Sequence, residues 1–256
     1  MPRKKKSSSA PAFLKIFISL CLVFGLVYFT VNHFLMKPHV FYPGFDISLP
    51  TGYDLHGIDV SRYQHVINWQ EVKEMEADGV KITFAFIKAT EGGSHVDAQF
   101  ARNWLEAGRV GIIRGAYHFF VPGRDAKRQA KNFTQIVNLQ RGDLPPVLDV
   151  EKSGRLTVEK MREDVRTWLL EVESNCGVKP VIYTNISFYE KYFSTGFEAY
   201  PLWIAHYLEP RKPRIDKQWI FWQHSETGRV NGIRARVDFN VFNGDDADLQ
   251  NLLIKN

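Results

Sequence analysis

From Leu55 onwards, short runs rich in β-branched and aromatic residues alternate with amphipathic segments. Such alternation is typical of repeated βα units around a parallel sheet. The runs predict eight strands, at residues 56–60, 82–89, 111–119, 146–150, 180–184, 201–206, 219–224 and 237–241.

The amphipathic segments between the earlier strands predict helices at residues 69–77, 98–107, 126–138 and 158–175, with a shorter one at 188–193. Asp97 and Thr157 are suited to cap two of these helices at their N-termini, and Gly79 and Gly108 to end two others. The later connections are too short for full helices. We therefore expect an α/β fold, a modified (β/α) barrel of about eight strands whose final βα units are degraded.

An apolar segment at residues 13–36 precedes the predicted barrel and is about as long as a bilayer-crossing helix. We predict a transmembrane signal anchor there, with residues 1–12 as a basic cytoplasmic tail. Basic residues near a span stay in the cytoplasm, so Arg3 and Lys4–Lys6 direct the rest of the chain to the periplasm or cell surface. A cleaved signal peptide is the alternative, although no small-x-small cleavage site follows the apolar run.

Prolines and glycines at residues 37–54 indicate a linker, which leaves residues 55–256 for the barrel. The chain carries a net charge of +5, but residues 1–40 hold six of its 33 basic residues and none of its 28 acidic ones. The remainder is close to neutral, so the charge does not indicate nucleic acid as a partner.

A chain of 256 residues, 45% of them hydrophobic, can bury one large core. Its two cysteines are Cys21 in the apolar segment and Cys176 in the barrel, so no disulfide can form within the barrel. A self-contained barrel with one span does not require a partner subunit, and we expect a monomer.

Two acids, Asp149 and Glu151, end the very apolar strand at 146–150. Side chains alternate along a strand, so these two point the same way, with Cα atoms about 6–7 Å apart. Such a pair can supply the general acid and second carboxylate that most glycoside hydrolases require. A like charge nearby and partial burial raise a carboxyl pKa, as a proton donor needs. Two solvated acids at a loop edge are the structural alternative.

Other predicted strands also end in polar or aromatic residues, where barrel enzymes collect their catalytic groups. Carboxylates with aromatic platforms in one cleft suit sugars. The candidates are Asp59, Glu91, Tyr117, His118, Tyr183, Trp203, Gln223 and Asp238. Each has a structural alternative, since a lone histidine is often a satisfied structural group and buried aromatics are often core.

A metal site is an alternative interpretation, because His118, His206 and His224 could join Asp59 or Asp149 around a divalent ion, as in metal-dependent deacetylases. No tight H-x-x-H spacing supports this, and we expect neither a metal nor a cofactor. The sequence contains no phosphate-binding Gly-rich loop followed by Lys-Ser/Thr and no G-x-S-x-G serine motif. A non-catalytic glycan-binding module is a further alternative.

Taken in order, these segments resemble glycoside hydrolase family 25, the Chalaropsis-type lysozymes, from about Gly57 to Gly244. The matching pieces are Gly-Ile-Asp59-Val-Ser, Phe-Ile-Lys-Ala-Thr-Glu91-Gly, Tyr117-His118-Phe, Pro-Val-Leu-Asp149-Val-Glu151, Val-Ile-Tyr183-Thr-Asn185, Leu-Trp203-Ile-Ala-His-Tyr, Phe-Trp-Gln223-His and Val-Asp238-Phe-Asn.

The resemblance implies an unusual α/β barrel with N-acetylmuramidase activity on peptidoglycan glycan strands. It makes Glu151 the proton donor, with Asp59, Asp149 and Asp238 completing the carboxylate set. Asp149 acts either as nucleophile or as the group that orients a substrate acetamide for neighbouring-group attack. The resemblance also offers cleft residues as substrate contacts, and we expect these to be Tyr117, Tyr183, Trp203, Gln223, Glu91 and His118.

Overall fold

The computed structural model describes residues 12–30, 39–207, 209 and 211–255. The chain divides into two compact units, Met1–Pro38 and His39–Asn256. In the first unit, helix α1 (Ala12–Thr30) has exposed side chains from residue 14 to residue 30. Among the described residues, no helix combines the length and apolar character needed to cross a bilayer. The transmembrane helix predicted at 13–36 is therefore not confirmed, and its residues 31–36 lie outside the described residues.

The second unit contains all the strands and the remaining helices of the described chain. The strands are β1 (His39–Tyr42), β2 (Ile47–Pro50), β3 (His56–Val60), β4 (Glu76–Ala77), β5 (Val80–Glu91), β6 (His95–Val96), β7 (Ile113–Phe119), β8 (Val147–Asp149), β9 (Val181–Asn185), β10 (Leu202–Ala205), β11 (Phe221–Gly228) and β12 (Val237–Phe242). The helices are α2 (Trp69–Glu74), α3 (Phe100–Arg109), α4 (Ala126–Ile136), α5 (Val158–Cys176), α6 (Ile186–Phe188) and α7 (Asp246–Leu252), with a 3-10 turn at Arg62–Gln64 and a π-helical turn at Tyr189–Phe193.

Eight strands close into a barrel, in the order β3, β12, β11, β10, β9, β8, β7, β5 and back to β3. Every neighbouring pair from β3 through β5 to β11 is parallel, whereas β12 runs antiparallel to both β11 and β3. The predicted eight-stranded barrel is confirmed. All eight strands lie within two or three residues of their predicted positions, except that β11 extends to Gly228.

As predicted, full helices connect only the earlier strands of the barrel. Full helices α3, α4 and α5 connect the strands from β5 to β9, while β9 and β10 are joined only by α6 and the π-helical turn. Helix α2 ends at Glu74 rather than at Ala77, because Asp78 and Gly79 adopt φ angles of 49° and 85° and form the tight turn of the β4–β5 hairpin.

Aromatic rings fill the barrel interior below its carboxyl-end mouth. Phe86 stacks on Trp203 with ring centroids 4.3 Å apart, and Phe84 lies 5.1 Å from Phe221. Glycine provides the room for these rings: a Cβ at Gly57 would lie 2.3 Å from the ring of Phe84. Since alternate residues of a strand face opposite sides, the position after Phe84 and Phe86 on the inner face of β5 is Lys88, at the mouth.

Residues 39–54, predicted as a linker, belong to the barrel unit. Strands β1 and β2 form an antiparallel hairpin whose turn residue Phe45 is fully buried and packs edge-on against Phe239, with centroids 5.2 Å apart. The backbone N–H of Arg229 donates to the carbonyl of Phe45 at 2.8 Å. The hairpin therefore covers the outer face of β12.

We expect Phe45→Ala to lower the free energy of unfolding by about 3–5 kcal/mol, because it leaves a cavity in the core. Phe41→Ala is the matched control, since that ring on β1 is 57% exposed, and it should change stability by less than about 0.5 kcal/mol. Urea denaturation of both variants measures the difference. Equal stabilities would show that the hairpin does not stabilise the barrel.

Candidate active site

A cleft of about 300 Å³ opens at the carboxyl ends of the parallel strands. Eight of the ten side chains predicted for the site line it. They are Asp59, Tyr117, Asp149, Glu151, Tyr183, Trp203, Gln223 and Asp238. The barrel thus brings together residues that span 180 positions of the chain.

The two acids at the end of β8, Asp149 and Glu151, both face this cleft. Leu148 and Val150, which alternate with them, are fully buried in the core between the barrel and its helices. Neighbouring strands place Phe119 and Tyr183 in register with Asp149, so an aromatic side chain flanks this acid on each side.

The environments of the two acids differ. Asp149 is 7% exposed, and burial, reinforced by the charge of Glu151, raises the pKa of Asp149 well above its ordinary value. Its Oδ1 atom is buried and has no hydrogen-bond partner in the structure. Glu151 lies at the open side of the cleft, where partial burial raises its pKa and the positive charges of Lys152 and Lys88 lower it. The pair can therefore hold a proton near neutrality.

Asp59 and Asp238 form a second carboxyl pair, because the antiparallel register of β12 and β3 sets them side by side. Asp59 Oδ2 accepts hydrogen bonds of 2.8 Å from both Gln223 Nε2 and Asn240 Nδ2. Burial, the charge of Asp59 and a hydrogen bond to it raise the pKa of Asp238 to about 9. Burial also raises the pKa of Asp59, against these three hydrogen bonds, so the proton of the pair resides on Asp238.

Gln223 links this pair to the aromatic wall. Its Oε1 accepts hydrogen bonds from the hydroxyls of Tyr183 at 2.8 Å and Tyr207 at 2.5 Å. The indole N–H of Trp203 donates to Asn240 Oδ1 at 2.8 Å. The side-chain amides of Gln223 and Asn240 therefore accept through oxygen and donate to Asp59 through nitrogen, which fixes the orientation of both amides.

A cationic wall lies opposite. The ammonium groups of Lys88 and Lys152 lie 4.6 and 4.8 Å from the ring centroid of Phe119, and Lys88 and Phe119 both line the cleft. Glu91, predicted as a substrate contact, does not line the cleft; its Oε2 accepts from Lys88 Nζ at 2.7 Å. Near the end of β5, Lys88 rather than Glu91 lines the cleft.

His118 does not reach the cleft either. It follows Tyr117 on β7 and therefore faces the helices, where it is fully buried and stacked 5.5 Å from Trp168. Its Nδ1 lies 2.7 Å from Thr90 Oγ1 and its Nε2 lies 3.3 Å from Gln129 Oε1. Burial lowers the pKa of His118 to about 4, so it is a neutral structural group.

Several cleft residues were not predicted. They include Lys88, Phe119, Tyr63, Gln64 and Glu226, together with Asn240, which lies behind Asp59. Strand alternation was a usable signal for three of them, because Lys88 is two residues from Phe86, Phe119 is two residues from Tyr117, and Asn240 is two residues from Asp238. The others lie on loops or strand extensions without a repeating pattern. Within the described residues, no three His, Cys, Asp or Glu side chains form a group that could hold a metal.

The family model for glycosyl hydrolases family 25 matches residues 58–233, which carry seven of the eight cleft residues predicted from the sequence. The chain belongs to glycoside hydrolase family 25. This family 25 member is therefore a glycoside hydrolase, and the metal-dependent deacetylase and non-catalytic alternatives are set aside.

Three relatives illustrate the similarity. Protein YegX of Escherichia coli is 48% identical over 206 residues, which cover 80% of this chain and 76% of YegX. Lysozyme M1 of Streptomyces globisporus is 38% identical over 210 residues, 76% of this chain and 70% of that enzyme. The crystal structure of the lysozyme from Streptomyces coelicolor superposes with a TM-score of 0.71 at 37% identity, covering 79% of this chain and 98% of that one.

The protonated Asp238 gives this hydrolase a distinctive pH dependence of stability. The folded state keeps a proton that the unfolded chain releases above pH 3.8, so wild-type stability should fall as pH rises from about 4 to about 9. Asp238→Asn replaces the protonated acid by a neutral amide that can still donate to Asp59. We expect this variant to lose that pH dependence and to exceed the wild type by a few kcal/mol near pH 9.

Chemical denaturation at pH 5, 7 and 9 measures this difference. Asp216→Asn serves as a control on the loop between β10 and β11, outside the cleft. Parallel pH profiles for wild type and Asp238→Asn would contradict the assignment of the proton to Asp238.

Proposed function

We propose that this family 25 hydrolase is a muramidase that cleaves the β-1,4 bond between N-acetylmuramic acid and N-acetylglucosamine in peptidoglycan. The relatives named as lysozymes support this substrate. The observation that carries the proposal is the pair Asp149 and Glu151 in one sugar-sized cleft, with unequal burial and both pKa values raised.

Glu151 is the proposed general acid. It lies at the open side of the cleft, where a departing sugar oxygen can reach it, and its raised pKa favours the protonated form that must donate. Lys88 and Lys152 limit that rise and favour the carboxylate left after proton transfer.

Asp149 is the proposed second carboxylate, deeper in the cleft. Two roles fit its position: nucleophilic attack on the anomeric carbon, or orientation of a substrate acetamide that attacks instead. Both require the carboxylate, so Asp149 must release the proton that burial favours. Positive charge developing on the sugar ring stabilises that carboxylate, because the two opposite charges meet in a site with little water.

The exposed aromatic side chains are the proposed sugar platforms. Tyr63 is 65% exposed and Tyr207 39% exposed, whereas Tyr183 and Trp203 are nearly buried. We therefore assign Tyr183 and Trp203 to positioning, through Gln223 and Asn240, and Tyr63 and Tyr207 to packing against sugar rings. Asp59 and Asp238 anchor the hydrogen-bond network beneath them.

Glu151→Gln should lower the rate of peptidoglycan clearing by about 10²–10⁴-fold, because the amide cannot supply the proton. Turbidity of purified peptidoglycan with the full-length chain measures the rate. Glu163→Gln on α5, an exposed residue that does not line the cleft, is the matched control. Mass spectrometry of wild-type products should show muramic acid at the new reducing ends. Undiminished clearing by Glu151→Gln, or glucosamine at those ends, would refute the proposal.

We also propose that the barrel acts outside the cytoplasm, delivered and held at the membrane by residues 1–38. The support is in the sequence: four consecutive basic residues, Arg3 to Lys6, precede the apolar run. The proposed substrate also lies outside the cytoplasm.

Cell fractionation tests this location. The full-length chain should remain with membranes after alkaline carbonate extraction, and a version that begins at His39 should stay in the cytosol. Recovery of a shortened, soluble barrel outside the membrane would indicate a cleaved signal peptide instead.

A further inference from the structure

A second concave site, here named the arginine groove, lies on the exposed edge of the carboxyl-end face. It is formed by residues 91–95 on one side and residues 121, 123–125 and 128 on the other, and encloses about 520 Å³. Its two walls follow strands β5 and β7, which are neighbours in the barrel.

The arginine groove adjoins the catalytic cleft. Lys88 lines the cleft, and its salt-bridge partner Glu91 lines the groove. Phe119 likewise lines the cleft, while Val121, two residues later, lines the groove. A chain attached to a ligand in the cleft can therefore extend across this boundary into the groove.

Two arginines, Arg124 and Arg128, and two acids, Glu91 and Asp125, line the groove. Arg124 and Arg128 are exposed, and among the described residues neither forms an ion pair; Arg128 Nε donates only to the carbonyl of Gly93, at 3.2 Å. Lys88 offsets the charge of Glu91, which leaves the two arginines against the single charge of Asp125. Glu91 is paired with Lys88 at 2.7 Å, and Asp125 accepts from the backbone N–H of Arg128 at 3.0 Å.

The groove is also held in shape before any ligand binds. Asn132 Nδ2 donates to the carbonyls of Gly92 at 2.9 Å and His95 at 3.1 Å, which fixes the wall formed by residues 91–95. Asp125 caps α4, the helix that carries Arg128. A preformed site loses less conformational entropy on binding than a flexible one.

We propose that the arginine groove binds the free carboxylates of the stem peptide on the muramic acid residue held in the cleft. This inference rests on the proposed muramidase function. The muramic acid carries that peptide on its lactyl group, and the peptide bears several carboxylates. Arginine binds carboxylate through paired N–H donors, and the guanidinium groups of Arg124 and Arg128 have such donors free. The groove thus selects peptide-bearing glycan over bare glycan.

The test compares the full-length wild type with the double variant Arg124→Gln/Arg128→Gln on two substrates. One is purified glycan with its stem peptides, and the other is the same glycan after an amidase has removed them. We expect kcat/KM of the double variant to fall by about five- to tenfold on the peptide-bearing glycan and to stay unchanged on the bare glycan. Arg102→Gln, an exposed arginine on α3 outside the groove, is the matched control and should match wild type on both.

A binding measurement tests the arginine groove independently of the muramidase proposal. Calorimetry with a muramyl tetrapeptide, with the same sugar lacking the peptide as a reference, measures the groove without turnover. Tighter binding of the peptide form, lost in the double variant, supports the groove even if wild type cleaves neither glycan. Equal losses on both glycans, or no loss on either, would overturn it. A loss seen only with walls that retain anionic phosphate polymers would overturn it in favour of those polymers.

Discussion

The close approach of two carboxyl groups, buried Asp59 and half-buried Asp238, is the constraint on which the cleft's hydrogen-bond network depends. Strand β12 closes the barrel antiparallel to β3, and this register places Asp238 against Asp59. Two such groups cannot both be ionised at low exposure, so Asp238 keeps the proton and Asp59 carries the charge. That charge organises the amides of Gln223 and Asn240, which in turn hold the tyrosines and tryptophan of the aromatic wall.

The proposed chemistry depends on a division of charge across the mouth. Carboxyl groups occupy the centre, on β3, β8 and β12, whereas cationic side chains follow the ends of β5, β7 and β8. Lys88 connects the two regions, because it lines the cleft and pairs with Glu91 at the edge of the arginine groove. One substrate can therefore meet acidic groups at its glycosidic bond and basic groups at its attached peptide.

Strand alternation explains both the success and the failure of the site predictions. Asp149 and Glu151 were predicted together because an apolar strand with acids at alternate positions allows only one shared face, and both face the cleft. The same rule excludes His118, which follows the cleft residue Tyr117 and so points to the helices. The resemblance offered Tyr117 and His118 together as substrate contacts, but the pleat of β7 directs their side chains to opposite faces of the strand.

The sequence by itself determined the eight strands, the loss of helices in the last units and the carboxyl groups at the strand ends, because these follow from local periodicity and from segments in order. Only the tertiary structure decided which groups share a proton, that residues 39–50 pack as a hairpin with Phe45 in the core, and that a basic groove adjoins the cleft. Those features depend on contacts between residues far apart in the chain, and local sequence patterns do not determine the distances between such residues.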